Sequence, residues 1–247
     1  AIDIRPQSLK KMPGGQNQAK AEQIYQKALQ HRGLDSWLNY YTLEVTAIDI
    51  WDSVFVRWLT PVAEDRQKLK STLQIGAGNN EIKFIGGEDD GKVIGVLNDK
   101  TYTRKEESFN YEESSSIRSY VRPMQNYIEW PFTLRHRPIL AYAGTQEIDG
   151  ATYQKIFVTK PPLEANTKTD QFIIYINKTT QNIEMIDFTV RDLYRRYKGT
   201  LHYSDFRKVQ GMVLPHKIRI ADSVTDKEFV HKYKIQEMTF KKEQAAT

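Results

Sequence analysis

The side chains most able to move protons near neutral pH are the five histidines, His31, His136, His202, His216 and His231. They are widely separated, and none forms an HExxH or comparable metal-ligand pair. His202, His216 and His231 fall on three late segments that read as strands, so neighbouring strands could gather them into an acid–base or metal cluster. No carboxylate recurs at a fixed spacing beside them, and solvent-facing or hydrogen-bonded histidines are the plainer expectation. Asp49 and Asp52 make a close acidic pair of the kind common on surfaces, which does not favour glycosidase chemistry. There is no GxSxG elbow to raise a serine nucleophile. The absence of cysteine removes thiolate nucleophiles, disulfides, thiolate zinc sites and iron–sulfur clusters together. Gly86-Gly-Glu-Asp-Asp-Gly91-Lys92 matches the first seven positions of a phosphate-binding P-loop. Val93 stands where the magnesium-binding hydroxyl would be, three carboxylates would repel phosphate, and the segment leads into a strand, so an acidic turn is expected instead. No enzyme activity, metal or cofactor is expected.

Charge gives a weak indication of partners. Thirty-six Lys+Arg against 31 Asp+Glu leave a net +5 over 247 residues, without the concentrated basic stripe that nucleic acid requires. The most basic run, Arg191-Asp-Leu-Tyr-Arg195-Arg196-Tyr-Lys198, reads as a solvated strand end and loop, with a nucleic-acid or anionic-lipid contact as its functional alternative. No nucleic acid partner is expected. Apolar residues make up 39% of the chain and aromatic residues 11%, too many for a disordered protein. No stretch approaches the roughly 20 apolar residues of a membrane-spanning helix, and the mean hydropathy of −0.63 agrees.

Residues 1–18, with Pro6, Pro13, Gly14 and Gly15, read as a flexible leader or tether, and residues 19–247 as a single domain. Good helix formers from Ala19 to His31, stopped by Gly33, predict a helix. Period-2 alternation then predicts strands at Tyr41 to Ala47, Val54 to Leu59, Lys68 to Ile75, Glu81 to Ile85 and Lys92 to Leu97. Six more follow at Tyr153 to Thr159, Gln171 to Ile176, Ile183 to Val190, Thr200 to Phe206, Met212 to Ala221 and Phe229 to Phe240. Between Ser114 and Leu134 the apolar residues return to helical spacing, with Pro123 implying a kink or second start and Pro131 ending the run. Short turns between strands require antiparallel neighbours. The predicted class is α+β: one curled antiparallel sheet of about ten strands, an incomplete half-open barrel, with both helices covering its concave face.

Several local phrases then resemble a known family. "HRGLDSWLNYYTLEV" (His31 to Val45), "DDGKVIGV" (Asp89 to Val96), "YIEWPFTL" (Tyr127 to Leu134) and the later hairpin phrases from Ile148 to Ile220 are similar to the LolA/LolB-like lipoprotein-carrier fold. They resemble more closely its outer-membrane lipoprotein-sorting-like relatives in Bacteroidetes. The resemblance covers roughly Ala19 to the C-terminus. It implies a half-barrel closed by helices, an apolar cavity for acyl chains, and a location in the periplasm or at the outer membrane of a Gram-negative bacterium, with any lipid anchor upstream of Ala1. Carriers of this family use an arginine near an early strand; Arg57 stands in a broadly comparable place, without a role assigned to it.

The expected function is therefore sequestration of a lipid, a lipoprotein acyl chain or another apolar ligand in the concave cavity of a monomer, with a membrane surface or an envelope protein as further partner. The alternative is a structural or interaction module whose concavity is filled by its own side chains. Strand alternation and the inserted helix nominate Val56, Trp58, Leu73, Phe84, Met124, Tyr127, Ile128, Ile174 and Met185 as the cavity lining. Met and aromatic side chains suit acyl chains, which impose no hydrogen-bond geometry.

Overall fold

A computed structural model describes residues 1–192 and 197–243. Residues 193–196, the middle of the basic run, lie outside the described residues. Thirteen strands form one open antiparallel sheet in the order β6-β5-β4-β3-β2-β1-β13-β12-β11-β10-β9-β8-β7, with β6 and β7 as its edges. The expected α+β class holds, with three strands more than the ten or so expected. The chain divides into two compact units interleaved in sequence.

The first unit comprises residues 1–35, 131–204 and 220–228. It holds α1 (Gly15–His31), β7 (Ile139–Ile148), β8 (Ala151–Thr159), β9 (Phe172–Asn177), β10 (Ile183–Thr189) and the first half of β11 (Lys198–Val209). β7 and β8 meet through Asp149-Gly150, both at positive φ, the two-residue turn whose twist matches that of the strands it joins. One face of β7–β9 carries Tyr142, opposite Ile156, itself opposite Ile174. Helix α1 lies on this side: the Asn17 amide donates to the Tyr142 carbonyl (3.1 Å) and accepts from its N–H (2.9 Å), and Lys20 sits over the Tyr142 ring. The other face gathers Ile139, Ala141, Phe157, Ile173, Tyr175 and Met185 under Leu9 and Leu163. The N-terminal residues are therefore part of the packing. The Ile4 N–H donates to Gln171 Oε1, and the Arg191 guanidinium donates 2.5 Å to the Ile2 carbonyl.

The second unit comprises residues 36–130, 205–219 and 229–247, as far as they are described. It holds β1 (Thr42–Trp51), α2 (Val54–Trp58), β2 (Arg66–Gln74), β3 (Asn79–Ile85), β4 (Val93–Leu97), β5 (Lys100–Lys105), β6 (Ser108–Tyr111), most of α3 (Ser115–Thr133) and β13 (His231–Lys241). β12 (Met212–Ala221) belongs to it up to Arg219. From Leu43 onward the buried residues of β1 are Leu43, Val45, Ala47, Asp49 and Trp51, and register places Leu73, Ser71, Leu69 and Gln67 of β2 beside the first four. These positions form the inner face. Glu44, Thr46, Ile48 and Ile50 alternate onto the outer face.

Two predicted elements change. Residues 54–59, expected as a strand, form the single turn of α2, capped by Ser53, whose hydroxyl accepts from the Val56 N–H (3.3 Å). α3 also continues through Pro123 and Pro131, although an internal proline costs a helix about 3 kcal/mol. Burial of Tyr120, Val121, Met124 and Ile128 along one stripe offsets that cost. Among the described residues no helix is long and apolar enough to cross a membrane.

Candidate functional site

Five of the nine nominated residues lie on the inner face of the second unit or on the helix that covers it. Leu73 of β2 and Phe84 of β3 are fully buried in that face, and Met124, Tyr127 and Ile128 are buried on α3. Contact between helix and sheet is recorded at several points. The Asn80 amide donates to the Val121 carbonyl (3.2 Å), the Tyr120 and Phe84 rings lie 6.3 Å apart, and the Gln125 amide donates to the Gln74 carbonyl (3.0 Å). Farther along the helix, Glu129 accepts from the Gly76 N–H (3.2 Å). The α3 stripe fits because Ile117, Tyr120, Val121, Met124, Gln125 and Ile128 recur at three- and four-residue steps.

The other nominations end elsewhere. Val56 and Trp58 lie on α2, and Trp58 is exposed. Ile174 and Met185 belong to the first unit and to opposite faces of it: Ile174 is directly opposite Ile186, whereas Met185 is opposite Tyr175. One lining cannot contain both. β9 is buried at every position, so its alternation carries no information about which face is which. Arg57 sits on α2 and donates to the carbonyls of Val62 and Ala63, anchoring the turn.

A buried polar group on the inner face escaped the sequence reading. Asp49, fully buried, accepts from the Tyr120 hydroxyl at Oδ2 (2.7 Å), and its Oδ1 lies 3.1 Å from His231 Nδ1. Trp51 stacks on the His231 ring at 4.0 Å and 8°. Burial, reinforced by the Asp49 charge, pushes the Tyr120 and Tyr233 hydroxyls well above their ordinary range, so both remain protonated donors. Strand parity was the available signal. Asp49 occupies an inward position in the Leu43, Val45, Ala47 series, and His231 one in the Tyr233, Ile235 series.

Chemically, this group is a carboxylate holding one donor from the helix and an imidazole from the sheet. It ties α3 to the inner face with directional bonds, which fix its orientation as apolar contact alone does not. The other two late-strand histidines have other partners: His202 Nε2 lies 2.9 Å from the Ser223 carbonyl, and His216 Nδ1 2.9 Å from that of Leu214. Among the described residues no three His, Cys, Asp or Glu side chains are placed to hold a metal. The glycine-rich turn is an acidic turn leading into β4, with Asp90 Oδ1 accepting from the Gly86 N–H at 2.7 Å.

No protein-family model matches the sequence, and no curated protein matches it. Solved structures do match the fold. A LolA-superfamily protein from Nitrosomonas europaea superposes with a TM-score of 0.53 at 13% identity, covering 87% of this chain and 92% of that one. A domain named for outer-membrane lipoprotein sorting, from Vibrio parahaemolyticus, gives 0.57 at 9% identity over 91% of this chain and 93% of its own. A DUF1329 family protein from Desulfovibrio piger gives 0.57 at 11% identity over 94% and 95%. At these identities the likeness is one of fold, and that fold is the one shared by LolA-superfamily and lipoprotein-sorting-like structures.

Proposed function

We propose that this protein is a non-enzymatic carrier of the cell envelope that holds a lipid or lipoprotein acyl chain against the inner face of the second unit, beneath α3. The observation that supports this most directly is the α3 stripe. Met124, Tyr127 and Ile128 cover an apolar floor that includes Leu73 and Phe84, while the polar ties at Asp49, Asn80, Gln74 and Gly76 give the helix a defined seat. A chain entering this site replaces the helix on the same apolar surface, each buried methylene contributing about 0.8 kcal/mol. The helix then acts as the lid, and the likeness in fold to LolA-superfamily and lipoprotein-sorting-like structures supports an envelope location.

A second reading has its own observation. Leu73, Phe84 and Met124 are already sealed by the protein's own side chains, as a structural or interaction module would require. Organic extraction of purified protein followed by mass spectrometry, together with displacement of a fluorescent fatty acid, separates the two. Co-purified lipid or saturable displacement supports the carrier; neither lipid nor displacement leaves the self-filled module.

A further inference from the structure

The two most exposed large apolar side chains of the described residues sit together on α2. Phe55 and Trp58 are 70% and 71% exposed, with Val54 and Leu59 about half exposed beside them. The other three tryptophans, Trp37, Trp51 and Trp130, are all at most 9% exposed. The turn is held in place: Ser53 caps it, Thr60 Oγ1 donates to the Arg57 carbonyl (2.7 Å), and Val62 is buried beneath the following segment. So a structured knob, not a frayed loop, presents four apolar side chains to solvent. Isolated exposed apolar residues are unremarkable on a surface, whereas a fixed cluster marks an interaction site.

The outer face beside this knob is cationic. The Asp52 and Ser53 N–H groups both donate to the Val230 carbonyl, so α2 leaves the sheet at the start of β13. Register then lays Arg66, Ile50 and Lys232 across one outer-face row of β2, β1 and β13, and Lys68, Ile48 and Lys234 across the next. Lys217 and Arg219 alternate outward on β12, and they lie close enough that their charges, with that of Lys234, add to burial in lowering the Lys232 ammonium. Asp52 is the carboxylate opposing that effect. Three acids of the nearby β3–β4 turn and of the loop after α2 accept local backbone hydrogen bonds: Asp89 from the Ala63 N–H, Asp90 from the Gly86 N–H and Glu64 from the Glu88 N–H.

We infer that α2 and the cationic outer face of β2, β1, β13 and β12 form a docking surface for an anionic bilayer. Phe55, Trp58, Val54 and Leu59 enter the acyl boundary, and the six cations lie over acidic headgroups. Charge complementarity selects an anionic partner, and a knob that mixes aliphatic with aromatic side chains selects hydrocarbon over stacked bases. This surface is distinct from the inner face, and docking needs no cargo.

The test uses the full chain after organic extraction, mixed with vesicles of phosphatidylethanolamine and phosphatidylglycerol. Binding is followed by co-sedimentation and by the shift of tryptophan emission, which reports Trp58 because the other three are already shielded from water. Sedimentation with the anionic vesicles, a blue shift, and weakening by added salt are expected. Phe55→Ser with Trp58→Ser lowers affinity about a hundredfold, from roughly tenfold for each large apolar side chain. Lys232→Gln with Lys234→Gln lowers it roughly twentyfold, at about fivefold per cation. Circular dichroism checks that each variant is folded, and the changed side chains are surface ones. Failure of the unaltered protein to bind these vesicles overturns the inference, and so does undiminished binding by the folded Phe55/Trp58 variant. Tighter binding to an oligonucleotide that survives loss of Phe55 and Trp58 also overturns it, in favour of a nucleic-acid face.

Discussion

The β8–β10 region of the first unit and the β1–β3 region of the second are built from similar strands but use burial differently. β9 is buried at all six positions, with isoleucine and aromatic side chains on both faces. β2 alternates throughout and β1 does so from Leu43 onward, and their buried positions include Asp49, Gln67 and Ser71. An apolar block of the first kind gives stability and little choice of arrangement. An inner face carrying hydrogen-bonding groups holds its covering helix in one defined seat. The contrast predicts that cuts into the first region lower stability more than cuts into the polar ties of the second.

Removing bulk from the apolar block is expected to have the largest effect. Phe157→Ala should cost about 3–5 kcal/mol in chemical denaturation, since Phe157 is fully buried among Ile173, Tyr175 and Met185. A loss below that range would erase the contrast. Asp49→Ala should strand the Tyr120 hydroxyl and the His231 imidazole, at about 1–3 kcal/mol for each buried group left without its partner. Hydrogen exchange should then show α3 amides losing protection while those of β9 keep theirs; equal loss in both would show that the seat of α3 is not local. Tyr120→Phe, which leaves the Asp49–His231 contact in place, should cost less, about 1.5 kcal/mol.

The smallest effect concerns pH. Burial raises the Glu129 carboxyl above its usual 4.5, against the opposing hydrogen bonds from Gln125 and Gly76. A carboxyl raised on folding adds stability when protonated. That contribution is complete below the unfolded value and is lost as pH rises through the folded one. Glu129→Gln should therefore raise the denaturant midpoint near neutral pH and remove this part of the acid-side gain. An unchanged pH profile in the variant would mean that Glu129 is not the group responsible.

How much of this was legible in the sequence depended on whether polarity and face coincided. Where strands alternate, as in β1 and β2, the inner face could be read directly, and Leu73 and Phe84 were placed on it. In β9 and β10 apolar residues occupy both faces, so Ile174 and Met185 could not be assigned. Val54 to Leu59 is apolar without a core to face, and that pattern fits one exposed helical turn as well as a strand. β5, β6 and β7 were missed, the first two because Thr-Tyr-Thr-Arg and Ser-Phe-Asn-Tyr carry little alternation and because the Asn98-Asp99 hairpin turn between β4 and β5 contains no glycine. Asp49 and His231 were hidden by their polarity, although their parity was inward.

The pairing of β1 with β13 also bears on the order in which the molecule assembles. Asp49 and His231 are 182 residues apart in sequence, yet they face one another in the middle of the sheet. During synthesis β1 emerges early and has β2 as a local neighbour, but its other edge stays open until β13 follows. Until then the carboxylate beneath α3 lacks its imidazole, and a row of backbone donors and acceptors is exposed to any passing strand. Folding of the second unit is thus a late, long-range closure, and a chain cut before residue 229 should retain that open edge and depend on a chaperone to stay soluble.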